Sequence, residues 1–139
     1  MTIARILAVD DEPSVRYFVK ETLSTVGYQV VVVGSGEAAL DLIAAQEQRF
    51  DLALLDLKMN GVGGLQVLAA LRQQSPDTAA IILTGHGSME TVIEALRQGA
   101  HDYLLKPCDP QELRESVASG LDSRRCALQQ RAEDKKSGK

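Results

Sequence analysis

Five short apolar runs, each followed by a longer stretch with helical spacing, constrain this chain more than any other feature. The runs are IARILAV (3–9), YQVVVV (28–33), LALL (52–55), AAIILT (79–84) and YLL (103–105). Most are apolar throughout rather than alternating, as expected of strands buried on both faces of a parallel sheet. Between them the period lengthens. Val15, Phe18, Val19, Leu23 and Val26 form a helical stripe that Pro13 starts and Gly27 closes. Ala38, Ala39, Leu42 and Ile43 form a second stripe, with Ser35 as its N-cap. Leu65, Leu68 and Leu71 mark a third that ends before Pro76, and Val92, Ile93 and Leu96 a fourth between Ser88 and Gly99. Asp109-Pro110-Gln111-Glu112 opens the fifth, with Leu113, Val117 and Leu121 on one face. Five β-α units with short joins and right-handed crossovers predict an α/β fold: a doubly wound, five-stranded parallel sheet.

Bulk properties narrow the function. The 139 residues suit one domain, and 45% of them are apolar. A net charge of −4 and a pI near 5.1 argue against direct nucleic-acid binding by this domain. No apolar run approaches a membrane span of about 20 residues. The opening MTIARILAVDDE lacks a signal-peptide layout, so a cytoplasmic location is expected. Cys108 and Cys126 make no metal or redox spacing and read as two reduced thiols. The expected division is a functional domain over 1–123 and a helical extension over 124–139. Arg124, Arg125, Lys135 and Lys136 then form a solvated helix and tail, and the terminal KKSGK is disordered.

In open parallel sheets, functional groups collect outside the carboxyl ends of the strands. Asp10, Asp11 and Glu12 follow the first run, Asp56 the third, Thr84 and then His86 the fourth, and Lys106-Pro107 the fifth. Carboxylates gathered on one rim repel one another and need a cation or retained protons. Oxygen-only donors suit Mg²⁺, and there is no His/Cys set for zinc. A metal, a lysine and a hydroxyl around a carboxylate describe a phosphoryl site, in which one carboxylate can itself be the nucleophile.

"VDDE" (9–12), "LLDLKM" (54–59), "ILTGHG" (82–87) and "YLLKP" (103–107), in this order and each at a strand end, resemble the receiver domain of two-component response regulators over roughly residues 3–121. The run LTGHGSMETVIEALRQGAHDYLLKP is similar to receivers of the nitrogen-regulatory, sigma-54-activator kind. The resemblance implies a flavodoxin-like sheet in strand order 2-1-3-4-5. It implies Asp56 as phosphoacceptor. Asp11 and Asp56 would ligate Mg²⁺ (Mn²⁺ able to substitute), with Asp10 beside them partly through water and the backbone carbonyl of Lys58 completing the set. Thr84 and Lys106 would hold phosphoryl oxygens, and Lys106-Pro107 would be cis. Thr84 would then move toward the phosphate, and Tyr103 would rotate from a more exposed position into the space left behind. The Lys58 ammonium and His86 are candidate modulators.

The implied partner is a histidine kinase, and dimerisation would use the face of the fourth helix, fifth strand and fifth helix. The module would be an enzyme only in its own phosphorylation and dephosphorylation. Its output, transcription regulation in the relatives, would lie with a partner or with a longer regulator of which this chain is the receiver part.

Two departures stand out. Met59-Asn60-Gly61-Val62-Gly63-Gly64 replaces the usual M-P-G-M-D-G, so a more mobile loop is expected. Cys108 stands where this subgroup often has phenylalanine, so lighter packing is expected there. Two rival readings remain: a non-phosphorylated scaffold, and an aspartyl-phosphate phosphatase. The second is weakened because Asp56-Leu57-Lys58 lacks the second acid of the D-x-D those enzymes carry.

Overall fold

A computed structural model describes residues 3–45, 49–85 and 88–136. Five strands, β1 (Arg5–Val9), β2 (Gln29–Val33), β3 (Leu52–Leu55), β4 (Ala79–Thr84) and β5 (Asp102–Leu105), alternate with five helices. The helices are α1 (Pro13–Thr25), α2 (Gly36–Ala45), α3 (Gly64–Gln74), α4 (Met89–Arg97) and α5 (Pro110–Lys136). All strand pairs are parallel, and the sheet order is β2-β1-β3-β4-β5. The parallel sheet is the one that the alternation of runs predicts, and its strand order is the flavodoxin-like order that the receiver resemblance implies.

The apolar runs are continuous because each strand feeds two cores. Leu7, Val9, Ala53, Leu55, Ala80 and Ile82 pack with α2, α3 and α4 through Ala39, Ile43, Val67, Leu68, Leu71 and Ala95. The intervening Ile6, Ala8, Leu52, Leu54, Ile81, Leu83 and Leu104 pack on the other face with α1 and α5 through Val19, Leu23, Leu113 and Val117. Strand side chains alternate faces, so extending this parity past the strand ends assigns Asp10, Asp56 and Lys106 to the α1/α5 side of the rim.

The punctuation is local. Ser35 Oγ accepts from the Ala38 amide at 3.1 Å and Ser88 Oγ from Thr91 at 3.2 Å, each satisfying one free amide of a first helical turn. Gly27 takes φ +100° after α1, a conformation that costs a side-chain-bearing residue more. The Asp109 carboxylate accepts from the Gln111 amide at 3.2 Å ahead of Pro110.

The fifth helix departs from the expected solvated extension. Its backbone is helical through Lys136, so the expected disorder does not begin at Lys135, and 137–139 lie outside the described residues. Arg124 is half-buried rather than solvated. It donates to the Asp77 carbonyl at 2.8 Å and pairs with Asp51 at 3.3 Å, while Arg131 pairs with the Asp77 carboxylate. These anchors lie in the turns before β3 and β4, at the pole of the sheet opposite the strand carboxyl ends. Helix geometry brings residues seven apart back to one face, which lets Arg124 and Arg131 share Asp77. Both cysteines are free thiols, and Cys108 packs partly buried against the α1/α5 core.

Leu55 is the last residue of the central strand and is fully buried. Leu55→Ala is expected to lower unfolding free energy by about 2–5 kcal/mol. Urea titration should show this as a lower midpoint with unchanged slope.

Candidate functional site

The rim groups are placed by the sheet. The Asp10 amide donates to the Val33 carbonyl at 3.1 Å, and the Asp56 amide to Val9 at 3.1 Å. Both acids therefore sit one residue beyond the strands in unbroken register. Lys106 is set likewise, its amide donating to the Thr84 carbonyl at 3.1 Å. The Lys106–Pro107 peptide bond is cis.

Lys106 Nζ lies 2.7 Å from Asp10 Oδ2, 2.9 Å from Glu12 Oε1 and 3.2 Å from Asp56 Oδ2. Asp10 and Asp56 are buried, whereas Asp11 and Glu12 are exposed. The two oxygens of Asp56 face different donors. Oδ1 accepts from Thr84 Oγ1 at 2.7 Å and, more distantly, from the Lys58 amide at 3.4 Å, and Oδ2 faces Lys106. Asp10 Oδ1 accepts from the Glu12 amide at 2.9 Å.

Electrostatics follow from this crowding. Burial pushes the Asp10 carboxyl above its ordinary value, against the Lys106 and Glu12 hydrogen bonds that favour its charged form. Burial alone would lower the Lys106 pKa. The bonds to Asp10 and Glu12, with the charges of Asp10 and Asp56, outweigh it and leave the ammonium more firmly protonated than an ordinary lysine.

One carboxylate oxygen from each of Asp10, Asp11, Glu12 and Asp56 lies within 4.8 Å of the others. Four acids against one lysine leave a surplus of negative charge, and every donor is oxygen. That set fits a hard divalent cation such as Mg²⁺ and offers nothing to a soft one.

The structure brings together Asp10, Asp11, Asp56, Thr84 and Lys106. Lys58 is exposed, with its amide against Asp56, and His86 lies outside the described residues. Tyr103 differs from the expected outward position. Its ring packs against the α2–α4 core, and its hydroxyl is buried with no hydrogen-bond partner among the described residues. Packing an aromatic ring against that core gains more than exposing it would, at the cost of an unpaired hydroxyl. Burial and the nearby charge of Asp56 both push the Tyr103 hydroxyl pKa up.

The glycine loop after Asp56 is close-packed. A Cβ on Gly64 would fall 2.3 Å from the Asp56 carbonyl, and one on Gly36 2.3 Å from the Val62 carbonyl. The Gly63 amide also donates to the Gln66 side chain at 2.9 Å.

Two residues carry site contacts that sequence reasoning left without a role. Glu12 was only one acid of a cluster, and here it pairs with Lys106. Arg16 was absent from the expected set; its Nη1 donates to the Asp10 carbonyl at 2.7 Å. A guanidinium six residues on, one turn into a helix that starts at the rim, is the signal that could have found it.

A flavodoxin-like sheet with clustered acids, a hydroxyl and a lysine at its carboxyl rim defines the class: a receiver-type α/β signalling module. The model of the response regulator receiver domain matches residues 6–118, and the chain belongs to that family, on its sigma-54-activator-like side.

The chain is 41% identical over 120 residues to the alginate biosynthesis transcriptional regulatory protein AlgB of Pseudomonas putida, covering 86% of this chain and 26% of AlgB. It is 37% identical over 113 residues to the regulatory protein LuxO of Vibrio cholerae, covering 81% of this chain and 24% of LuxO. It thus spans about a quarter of the length of these curated relatives. Among solved structures, a CheY-like response regulator receiver domain protein from Methanospirillum hungatei superposes with a TM-score of 0.86 at 30% identity, covering 91% of this chain and 99% of that one. The BeF3-activated DrrB receiver domain gives 0.78 at 27% identity, covering 87% of this chain and 99% of that one. Among the described residues no helix is long and apolar enough to cross a membrane.

The Asp10 carboxyl supports a pH prediction. Its folded pKa is raised, so the folded state holds a proton that the unfolded state has already lost, and stability falls as pH rises above 3.8. Relative to Asp10→Asn, the wild type should gain stability when the pH is lowered from neutral into the mildly acidic range. Paired urea titrations of the two proteins measure this, and a gap that stays flat would remove burial as the dominant influence on Asp10.

Proposed function

We propose that this receiver accepts a phosphoryl group on Asp56 from the phosphohistidine of a histidine kinase, in a Mg²⁺-dependent reaction. The observation that carries this is the setting of Asp56. It is a carboxylate 2% exposed, with one oxygen on Thr84, the other on Lys106, and three further acids beside it. Asp11, Asp56 and the Lys58 carbonyl would hold the cation, with Asp10 alongside. When bound, it would supply charge neutralisation for the phosphoryl oxygens.

In the transfer, an Asp56 oxygen forms the new P–O bond as the P–N bond breaks, and the electron pair stays with the departing imidazole. Lys106 and Thr84 turn from Asp56 to the phosphoryl oxygens, and the acyl phosphate is later lost to water. No other substrate is turned over, so the chemistry is confined to the protein's own modification.

On this reading Thr84 leaves Asp56 Oδ1 for the phosphate, and the inward ring of Tyr103 is the position that its departure favours. The phosphate biases two existing arrangements of the face formed by α4, β5 and α5 through its differential affinity for them. That face carries exposed Met89, Ile93, Leu96 and Leu105, which suits a symmetric dimer or an output partner. Transcriptional control, named for AlgB, is the output we assign to the longer regulator of which this receiver would form part, acting in the cytoplasm.

Asp56→Asn is expected to abolish labelling by acetyl phosphate in Mg²⁺, and stoichiometric labelling of that variant would overturn the assignment. Light scattering on wild type treated with beryllium fluoride should show a shift toward dimer. Glu substitutions at Ile93 and Leu96 should prevent the shift while leaving labelling intact. Wild type that neither labels nor binds Mg²⁺ would instead leave the module a scaffold.

A further inference from the structure

Asp10 is tied at every polar atom it has. Its amide donates to Val33, its Oδ1 accepts from the Glu12 amide, and its Oδ2 pairs with Lys106. The remaining atom, the backbone carbonyl, accepts from Arg16 Nη1 at 2.7 Å. Arg16 stands in α1 and reaches back over the strand ends, where its guanidinium lies across Gly34. A Cβ on Gly34 would fall 2.9 Å from Nη1 and 3.4 Å from Cζ, so the position is open to Arg16 because Gly34 has no side chain.

Asp11 contrasts with Asp10. Its carboxylate is exposed and has no hydrogen bond or ion pair among the described residues, so the backbone, which sets where the side chain departs, is what constrains it. The Asp10 carbonyl and the Asp11 amide belong to one rigid peptide plane. The Arg16 bond therefore holds the plane from which the Asp11 side chain departs.

We propose that Arg16 is a positioning residue for the divalent cation, orienting the Asp10–Asp11 peptide so that Asp11 meets the other carboxylates, with Gly34 providing the room this requires. The inference rests on the metal reading given above. It also carries a diagnostic sign. As a bare positive charge near the acids, Arg16 repels a cation, so deleting that charge would tighten binding. As a positioning group, its loss weakens binding, and removal of an outer partner of a metal ligand typically costs about 10–100-fold in affinity.

The test is direct Mn²⁺ binding to the full chain, followed by the paramagnetic signal of the free ion, with Mg²⁺ competition. Arg16→Gln should bind roughly tenfold or more weakly. Gly34→Ala retains the guanidinium charge and displaces it, so it should weaken binding as well. It serves as the deciding variant if Arg16→Gln fails to fold. Arg16→Lys, which keeps one donor and the charge, should recover part of the loss. A purely structural role would lower the metal-free melting temperature and leave Mn²⁺ affinity unchanged. Unchanged or tighter binding by folded Arg16→Gln, or by Gly34→Ala where that variant decides, overturns the inference. Wild type that binds no Mn²⁺, by contrast, removes the metal reading and this inference with it. Wild type that binds while Asp11→Asn does not leaves the metal reading standing, whatever Arg16 does.

Discussion

The Lys106 ammonium, held among Asp10, Glu12 and Asp56, is the interaction on which the rim depends. Two buried carboxylates on neighbouring strands repel each other, and removing the partner of a buried charge typically costs about 3–5 kcal/mol. One lysine serves both. It reaches them because Leu104, two residues earlier in β5, shares the α1/α5 face with Ala8 and Leu54, two residues before each acid. The same alternation that buries the strands thus aims the cation. Four acids against one lysine still leave the cluster short of positive charge, a deficit that a divalent cation suits.

Much of this was legible in the sequence because it depends on strand ends. Continuous apolar runs fixed the parallel sheet, and an acid, hydroxyl or lysine directly after such a run has little freedom over where it sits. LALL and AAIILT matched β3 and β4 residue for residue, since both are bounded by polar or turn-forming residues. What escaped was side-chain reach. Arg16 looked like an ordinary helix charge until α1 was laid over the strand ends, and Glu12 could not be assigned to Lys106 from a distance of 94 residues. The inward ring of Tyr103 was equally hidden, because either orientation keeps the same backbone.

The far pole was misjudged for a related reason. Arg124 and Arg131 lie in a polar, charged stretch that reads as solvated, and nothing in their spacing names Asp51 or Asp77 as partners. Yet α5 packs against β4 and β5 through its first turns, and a straight helix must carry its later residues past the turns below. Those turns bear the acids. The direction in which α5 leaves the sheet is therefore held by polar contacts as well as by the core.

Asp56 and the loop after it are governed separately, which bears on what the unusual glycines can change. Asp56 takes its place from the β1–β3 ladder, which its amide extends by one bond to Val9. Gly63 and Gly64 act at the next level, where their missing side chains let the start of α3 come against the Asp56 and Leu57 carbonyls. A sequence with proline and aspartate in this loop would alter the path of the chain over the carboxylate without moving the carboxylate. If Asp56 is the phosphoacceptor, differences from other receivers should therefore lie in how readily water reaches the acyl phosphate, not in whether it forms. The constraint that places Asp56 belongs to the sheet, and on the phosphoacceptor reading any difference in acyl-phosphate lifetime would belong to the loop that carries Asn60 and Gly63.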